Sequence, residues 1–146
     1  MKKTILFCAI ALGMLLAVPN ATAQDQVPNP TKFDAFIAQV YTGQGVSQIA
    51  PNTRRYAFMK NAFLNRISYQ QIDPVKAKVT THTKLSQVPL FDTYNKSLSR
   101  DYTFGPDTFN PFKYMFDFYS KGTQIIHIDN TNTLIVITPH NYNATK

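Results

Sequence analysis

The sequence has no glutamate, no tryptophan and a single cysteine, Cys8. Because Cys8 lies in the apolar N-terminal segment, the rest of the chain can form neither a disulfide framework nor a thiolate metal site. The lack of glutamate removes the bidentate ligand that completes an EF-hand calcium loop. Internal repeats and blocks of like charge are also missing, so the composition excludes coiled coils, collagen-like fibres and multidomain enzymes.

The N-terminus has the three parts of a secretory signal peptide. Lys2 and Lys3 precede an apolar run at residues 5–18, and a small-residue stretch ends at Ala23. The run is shorter than the roughly 20 residues that a membrane-spanning helix needs. We therefore expect cleavage after Ala23, a periplasmic or secreted location in a bacterium, no transmembrane segment after cleavage, and a single domain over residues 24–146. Loss of Lys2 and Lys3 lowers the net charge from +7 to +5.

Two segments near the start of this domain have helical periodicity. Over residues 31–42, apolar residues recur at intervals of three and four, with Thr31 as a candidate N-cap and Gly43 as a residue that can end the helix. A second apolar stripe follows the start signal at residues 51–53 and predicts a helix that ends near residue 65 or runs on to residue 69.

The later segments alternate between apolar and polar residues, which predicts strands. Residues 75–80 predict a half-buried strand with Val75, Ala77 and Val79 on one side. Residues 92–111 are rich in turn-forming residues and predict a long irregular connection. Segments 112–119, 124–129 and 133–138, separated by turn residues at 120–122 and 130–132, predict an antiparallel meander. Residues 134–137 are all apolar, so their strand should be central and buried on both faces.

These elements predict an α+β fold. Two N-terminal helices are expected to pack on an antiparallel sheet of four to five strands that ends in the C-terminal meander. The residues after the leader include many Phe and Tyr side chains, which can fill a core without any cross-link.

The histidines do not have the spacing of a metal site. His82, His127 and His140 are far apart in the chain, so we interpret His82 as a surface residue and His127 as a cross-strand partner. Residues 129–133 place oxygen-bearing side chains at alternate positions, as calcium loops do, but a tight hairpin turn explains the same residues. We predict no metal and no cofactor.

No motif assigns a catalytic residue. The sequence has no Gly-x-Ser-x-Gly elbow and, after the leader, no cysteine nucleophile. Gly43 and Gly45 have neither a third glycine nor a preceding strand, so they indicate the end of a helix and not a phosphate-binding loop. Enzyme activity is therefore the less favoured interpretation.

The best candidate for an interaction surface is the aromatic loop over residues 91–109. Its side chains Tyr94, Arg100, Tyr102 and Phe104 combine rings with a guanidinium group, a composition that is enriched at protein contact surfaces. The alternative is that these rings hold the loop onto the helices or the sheet, because a loop this long must bury something to stay ordered.

The modest positive charge limits the choice of partner. Basic residues occur on the second helix and on the segment at 75–84, but a net charge of +5 is mild, and export removes the chain from nucleic acid. The expected partner is therefore another envelope protein or an anionic surface polymer.

Several short segments in the second half of the chain carry a resemblance to a known group. Residues 84–91 (KLSQVPLF), 109–114 (FNPFKY), 118–121 (FYSK) and 129–131 (DNT) resemble a pattern in small, uncharacterised exported proteins of the Bacteroidota. The resemblance covers the last two-fifths of the chain. It implies an envelope or secreted setting and supplies no catalytic residue.

The sequence thus predicts an exported bacterial protein that is a non-catalytic binding or structural component of the cell envelope. The alternative is a small cofactor-independent hydrolase or isomerase with a pocket between the helices and the sheet. Convergent Asp, His or Tyr side chains in a deep pocket would favour the enzyme, whereas an aromatic patch with arginine at its edge would favour binding.

Overall fold

The structure is a computed structural model, and it describes residues 25–140. The predicted signal peptide at residues 1–23 lies outside the described residues. Within them, no helix is long and apolar enough to cross a membrane.

Four helices lie in the described part of the chain: α1 (Phe33–Val40), α2 (Gly45–Gln48), α3 (Arg54–Asn65) and α4 (Pro74–Val79). A 3-10 turn at Pro30–Lys32 leads into α1. Asn29, and not the predicted Thr31, caps this turn, because its side chain accepts a hydrogen bond from the Thr31 N–H. Gly43 has the predicted left-handed conformation, with φ of 54°, but α1 already ends at Val40.

The predicted start of the second helix is confirmed by its cap. The Thr53 hydroxyl oxygen accepts a hydrogen bond of 3.1 Å from the N–H of Tyr56, in the first turn of α3. The helix ends at Asn65, the shorter of the two predicted ends. The next residues turn at once into a strand whose inward side chains, Ile67 and Tyr69, are fully buried.

The sheet has four strands: β1 (Ile67–Gln71), β2 (Thr83–Lys84), β3 (Gln124–His127) and β4 (Thr133–Ile137). Their spatial order is β1-β4-β3-β2. β4 pairs antiparallel with both neighbours, placing Ile137 opposite Ile67 on one side and opposite Gln124 on the other. Every residue of β4 is buried, which confirms its predicted central position.

The sheet is mixed, so the prediction of an all-antiparallel sheet is wrong. β2 runs parallel to β3, with Thr83 beside Ile126 and Lys84 beside His127. Such pairing requires the chain to cross over between the two strands, and here the crossover is the long segment at residues 85–123. The coarser prediction of an α+β fold is confirmed.

Residues 75–80 were predicted to form a strand, and this prediction is wrong. Residues 75–79 belong to α4, which has Pro74 in its first turn and Asp73 as its cap, and Thr80 follows the end of the helix. The Asp73 carboxylate accepts hydrogen bonds from the N–H groups of Val75 and Lys76. Consequently Val75 is exposed and Ala77 is buried, although a strand would place both on one face.

The predicted first strand of the meander, at residues 112–119, is also absent from the sheet. Pro111–Lys113 forms a 3-10 turn, and the following residues are extended but pair with another segment only at the isolated bridge between Leu90 and Tyr114. The meander is therefore a β3–β4 hairpin, and the third member of the antiparallel set is β1. The irregular connection predicted over residues 92–111 is confirmed.

Candidate functional site

A cleft of about 350 Å³ opens between α3 and residues 112–119, and we refer to it as the aromatic cleft. One side consists of Tyr41, Arg55 and Met59, Phe91 also lines it, and the other side consists of residue 112 and residues 114–119. Its volume is at the lower end of the range of about 300–1,000 Å³ that is typical of ligand sites. The lining is rich in rings and contains two charged side chains, Arg55 and Asp117.

The wall at residues 112–119 has two different sides. Phe112, Tyr114, Phe116 and Phe118 are buried, whereas Met115 and Tyr119 remain 58% and 59% exposed. The N–H of Phe116 donates to the carbonyl of Tyr114 at 2.8 Å, and the N–H of Phe118 donates to that of Phe116 at 3.1 Å. These bonds between residues two apart are those of γ-turns, so the segment alternates sides without strand pairing.

A buried arginine fixes the end of this wall. Arg66, just after α3, donates from Nη2 to the carbonyl of Phe118 at 2.7 Å and from Nε to the carbonyl of Thr138 at 3.0 Å. Its guanidinium carbon also lies 5.6 Å from the centre of the Phe58 ring. The same side chain thus holds residue 118 against the end of β4 and α3, which keeps the wall in place.

Exposed rings continue the edge of the cleft. Tyr119 stacks on Phe58 with ring centres 4.3 Å apart and planes 8° from parallel, and His140 meets the same Phe58 ring edge-on at 5.0 Å. Offset and edge-on ring pairs of this kind are favourable beyond the area that they bury. Tyr119 is therefore held in one orientation although it is more than half exposed.

The opposite wall is positively charged. Arg55 lines the cleft, and it shares the first turn of α3 with Arg54, which does not line it; that turn contains no acidic residue. The helix dipole adds positive potential at the same end. The guanidinium carbon of Arg55 lies 5.5 Å from the centre of the Tyr41 ring, which positions the arginine beside an aromatic surface.

Two tyrosines of the cleft remain protonated at neutral pH. Burial raises the pKa of the Tyr41 phenol, and the neighbouring Arg55 only partly opposes this effect. Burial likewise raises the pKa of Tyr114 to about 12, although a hydrogen bond from the backbone of Asp101 lowers it in part. The Tyr114 hydroxyl faces the Asp101 carboxylate within the fold, and neither tyrosine serves as a base at neutral pH.

The structure does not bring the four predicted surface residues together as one exposed patch. Tyr94 stacks on Tyr41 with ring centres 5.3 Å apart, and Phe104 packs edge-on against the buried Tyr69 at 4.9 Å. Arg100 donates to the carbonyls of Leu85 and Val88, at 2.9 and 2.7 Å. Only Tyr102, which is 91% exposed, faces solvent. These contacts are those of the alternative in which the rings hold the loop in place.

The three histidines are placed in separate environments. His82 is exposed and His140 packs on Phe58, whereas His127 is buried with its Nε2 atom 2.8 Å from the carbonyl of Thr131. Over residues 25–140, no group of three or more His, Cys, Asp or Glu side chains is arranged to hold a metal ion.

Residues 129–133 form the tight turn of the β3–β4 hairpin, as predicted. Asn130 adopts a left-handed φ of 58°, and the N–H of Thr131 donates to the carbonyl of Ile128 at 3.2 Å. The Asp129 carboxylate is occupied by two bonds of 2.8 Å from Ser86, one from its N–H and one from its hydroxyl. The turn residues are therefore used for chain reversal and for contact with the segment after β2.

No motif in the sequence singles out Arg55, Met115, Asp117 or Tyr119, which the structure places around one cleft. The alternation over residues 112–119 does indicate two different sides, but only the long-range packing of this segment against α3 shows which outward residues share a cleft. Arg55 could have been noticed from its unfavourable position in the first turn of a helix.

Neither a protein-family profile, nor a curated protein, nor a solved structure matches the chain.

Proposed function

We propose that this chain is an exported bacterial protein, a non-catalytic binding component of the cell envelope, and that the aromatic cleft is its binding site. The proposed partner is another envelope protein, which inserts a large apolar side chain next to an acidic residue. The observation that carries this proposal is the cleft itself, where rings and exposed Met115 face Arg55 across a volume of about 350 Å³.

The composition of the cleft supports a protein partner. Aromatic, methionine and arginine side chains are the residues enriched at the centres of protein interfaces, and methionine adapts its shape to irregular partners. Met115 and Tyr119 are large and more than half exposed, so a partner that covered them would remove apolar surface from water. Stacking on Phe58 already orders Tyr119, which reduces the entropy that binding would cost.

Charge complementarity supports an acidic residue beside the apolar anchor. Arg54 and Arg55 share the first turn of α3 with no acidic neighbour in that turn, and the helix dipole adds to their field. An acidic side chain of the partner, placed next to its anchor, would meet this positive end while the anchor occupied the cleft. Such pairs act mainly on the association rate and on the orientation of the partner.

The two buried tyrosines of the cleft do not supply the base that an enzyme would need. A hydrolase or isomerase that worked in this cleft would need a group able to take up a proton near neutral pH. The hydroxyls of Tyr41 and Tyr114 are protonated there, and that of Tyr114 is already bonded to Asp101 within the fold. Turnover of a small substrate that was lost on mutation of Asp117 would favour the enzyme instead.

The proposal can be tested by site-specific photocrosslinking in the native host. A benzoylphenylalanine at position 119 should crosslink one protein of the envelope fraction, whereas the same group at position 102 should not. Position 102 is the matched control, because Tyr102 is the same residue type at a more exposed place outside the cleft. A crosslink from position 102 alone would overturn the proposal and favour the loop.

Two substitutions test whether the crosslink depends on the aromatic cleft. Met115→Glu places a charge in the apolar cleft, and Arg55→Glu reverses the charge of the arginine that lines it, so each should weaken the crosslink at position 119 by about tenfold. Their controls on α4 are Val75→Glu, an exposed apolar residue, and Lys76→Glu, the same charge reversal. Equal losses with the controls would contradict the proposal.

Export is tested separately. N-terminal sequencing of the protein from the periplasmic or secreted fraction should show that the mature chain begins at residue 24.

A further inference from the structure

A second concavity lies between α4 and the β3–β4 hairpin, and we refer to it as the polar cleft. It has a volume of about 650 Å³. Its lining differs from that of the aromatic cleft, because it includes the charged side chains of Lys78, Lys84 and Asp129 together with His127 and the turn at residues 130–132. It contains no phenylalanine or tyrosine, and most of the residues that line it are polar.

His127 has a buried ring nitrogen that is not hydrogen-bonded. The side chain is 5% exposed, and Nε2 lies 2.8 Å from the carbonyl oxygen of Thr131. A carbonyl can only accept, so the hydrogen of the neutral ring is on Nε2 and Nδ1 keeps a lone pair. Within residues 25–140, Nδ1 has no hydrogen-bond donor. A buried acceptor of this kind is uncommon in folded proteins and is normally satisfied by water or a ligand.

The free charge of the polar cleft is positive. Lys78 and Lys84 are both exposed, and neither forms a salt bridge with any residue in the described range 25–140. Asp129 is already occupied by the N–H and hydroxyl of Ser86. The cleft thus has two ammonium groups against one carboxylate; Lys84 interacts with the Asp129 charge, and the net charge left for an anion is positive.

The turn also offers uncharged polar groups. The side-chain amides of Asn130 and Asn132 line the polar cleft and form no hydrogen bond with another described residue. Each amide can donate and accept, which is what a ligand with several hydroxyl groups requires. Left-handed Asn130 keeps this turn in a fixed conformation.

We propose that the polar cleft binds a carboxylated sugar unit of an acidic polysaccharide. Lys78 and Lys84 bind the carboxylate, and a sugar hydroxyl donates to Nδ1 of His127 while the amides of Asn130 and Asn132 bind further hydroxyls. This site is separate from the aromatic cleft, and the inference does not depend on the function proposed for that cleft.

Calorimetric titration with a trimer of galacturonic acid tests the proposal. The protein should bind this trimer at least about tenfold more tightly than a neutral trimer of galactose. The double variant Lys78→Gln/Lys84→Gln should lose about tenfold or more in affinity. The control Lys96→Gln/Lys121→Gln removes the same charge from two exposed lysines elsewhere and should leave the affinity unchanged. Equal losses in both double variants would mean nonspecific attraction and would overturn the proposal.

His127→Gln tests recognition of the hydroxyl group. Glutamine keeps an N–H donor near the position of Nε2, so the contact with Thr131 can persist, but it has no counterpart of Nδ1. The affinity for the acidic trimer should fall by about fivefold, while the weak binding of sulfate, an anion without hydroxyl groups, should not change. Sulfate binding as tight as that of the trimer, or no effect of His127→Gln on the trimer, would contradict recognition of a sugar. Met115→Glu, in the aromatic cleft, should leave trimer binding unchanged.

Discussion

The sheet and the segment at residues 85–119 satisfy their backbone groups in different ways. In the sheet, β4 is hydrogen-bonded to β1 on one side and to β3 on the other, so backbone pairs with backbone. In the irregular segment, side chains take this role: Arg100 binds two carbonyls and Asn110 binds the N–H of Phe112 and the carbonyl of Phe36. In this segment one side chain bonds to more than one backbone group. Its removal should therefore lower the free energy of unfolding by more than the loss of one hydrogen bond.

Stacked rings complete the irregular segment. Phe109 lies parallel to Tyr114 with ring centres 5.5 Å apart, and Tyr114 in turn stacks on Phe116 at 5.6 Å. The Lys113 ammonium binds the Asp101 carboxylate at 2.5 Å, and both side chains are mostly buried. The segment is therefore ordered by side-chain contacts although it has almost no regular secondary structure.

The largest expected effect is that of Asn110→Leu. Asn110 is fully buried, and its replacement leaves the buried N–H of Phe112 without an acceptor and removes the donor to the carbonyl of Phe36. Loss of about 3 kcal/mol in the free energy of unfolding is expected, because buried groups left unpaired cannot turn to water. Urea denaturation measures this difference.

Asn95 provides the matched control. Its side chain also donates to a carbonyl of α1, that of Gln39, and accepts from the N–H of Ser97, but both bonds lie near solvent. Asn95→Leu should therefore destabilise by only about 1 kcal/mol, because water replaces the lost partners. A smaller effect of Asn110→Leu than of Asn95→Leu would refute the account of the irregular segment.

A medium effect is expected for Gly45→Ala. A Cβ atom at position 45 would lie 2.5 Å from Cγ of Tyr94, the ring that stacks on Tyr41. The ring must move away, which should cost about 2 kcal/mol through overpacking. Thermal or urea unfolding of Gly45→Ala and of Gly122→Ala measures the difference, since a Cβ at position 122 meets nothing closer than 3.9 Å.

A double variant shows whether the ring is the cause. In a Tyr94→Gly background both Cγ and Cβ of residue 94, which a Cβ at position 45 would meet at 2.5 and 2.8 Å, are gone, so Gly45→Ala should then cost less than about 0.5 kcal/mol. If the cost of Gly45→Ala were the same in both backgrounds, Tyr94 would not be the ring that packs against α2.

Local signals made part of the fold predictable from the sequence. Thr53 as a cap, Gly43 at positive φ and the turn at residues 130–132 each depend on residues within four positions of one another. The all-apolar stretch of β4 indicates a central strand for the same reason, because the apolar residues that favour its burial lie within the strand itself. These features need no knowledge of distant parts of the chain.

The two wrong strand predictions have one cause. Apolar and polar residues can alternate along a segment that pairs with no neighbouring strand. Residues 75–79 alternate over so few positions that a single helical turn fits them as well, and Asp73 with Pro74 decides for the helix. Residues 112–119 do alternate sides, but their carbonyls bond to N–H groups two residues on instead of to a neighbouring strand. Alternation thus predicts which side chains are buried and leaves hydrogen-bonded partners open.

Neither the parallel strand pair nor the aromatic cleft could be predicted from local patterns. β2 has only two residues, and its partner β3 lies about forty positions further along the chain. Arg55 and Tyr119, on opposite sides of the cleft, are likewise far apart in sequence. For the loop, the sequence does not show that Tyr94 and Phe104 pack inward while Tyr102 faces solvent.

The smallest expected effect on stability concerns the contact between the irregular segment and the sheet. Ser86, at the start of the irregular segment, donates twice to Asp129 in the β3–β4 hairpin. Partial burial opposes ionisation of Asp129, but the Ser86 donors and the charge of Lys84 outweigh it and hold the pKa of Asp129 below its usual value of 3.8. The folded state therefore favours the ionised carboxylate.

A lowered pKa in the folded state means that this contribution is present at neutral pH and is lost as the pH falls through the folded pKa. Asp129→Asn should reduce the free energy of unfolding by about 0.5 kcal/mol at about pH 6, and the difference from the parent protein should nearly vanish at about pH 3. Ser86→Ala, which removes one of the two donors, should give a smaller pH dependence than the parent. If the difference between Asp129→Asn and the parent instead grew as the pH fell, Asp129 would be favoured in its protonated form, and the carboxylate would not join the hairpin to the irregular segment.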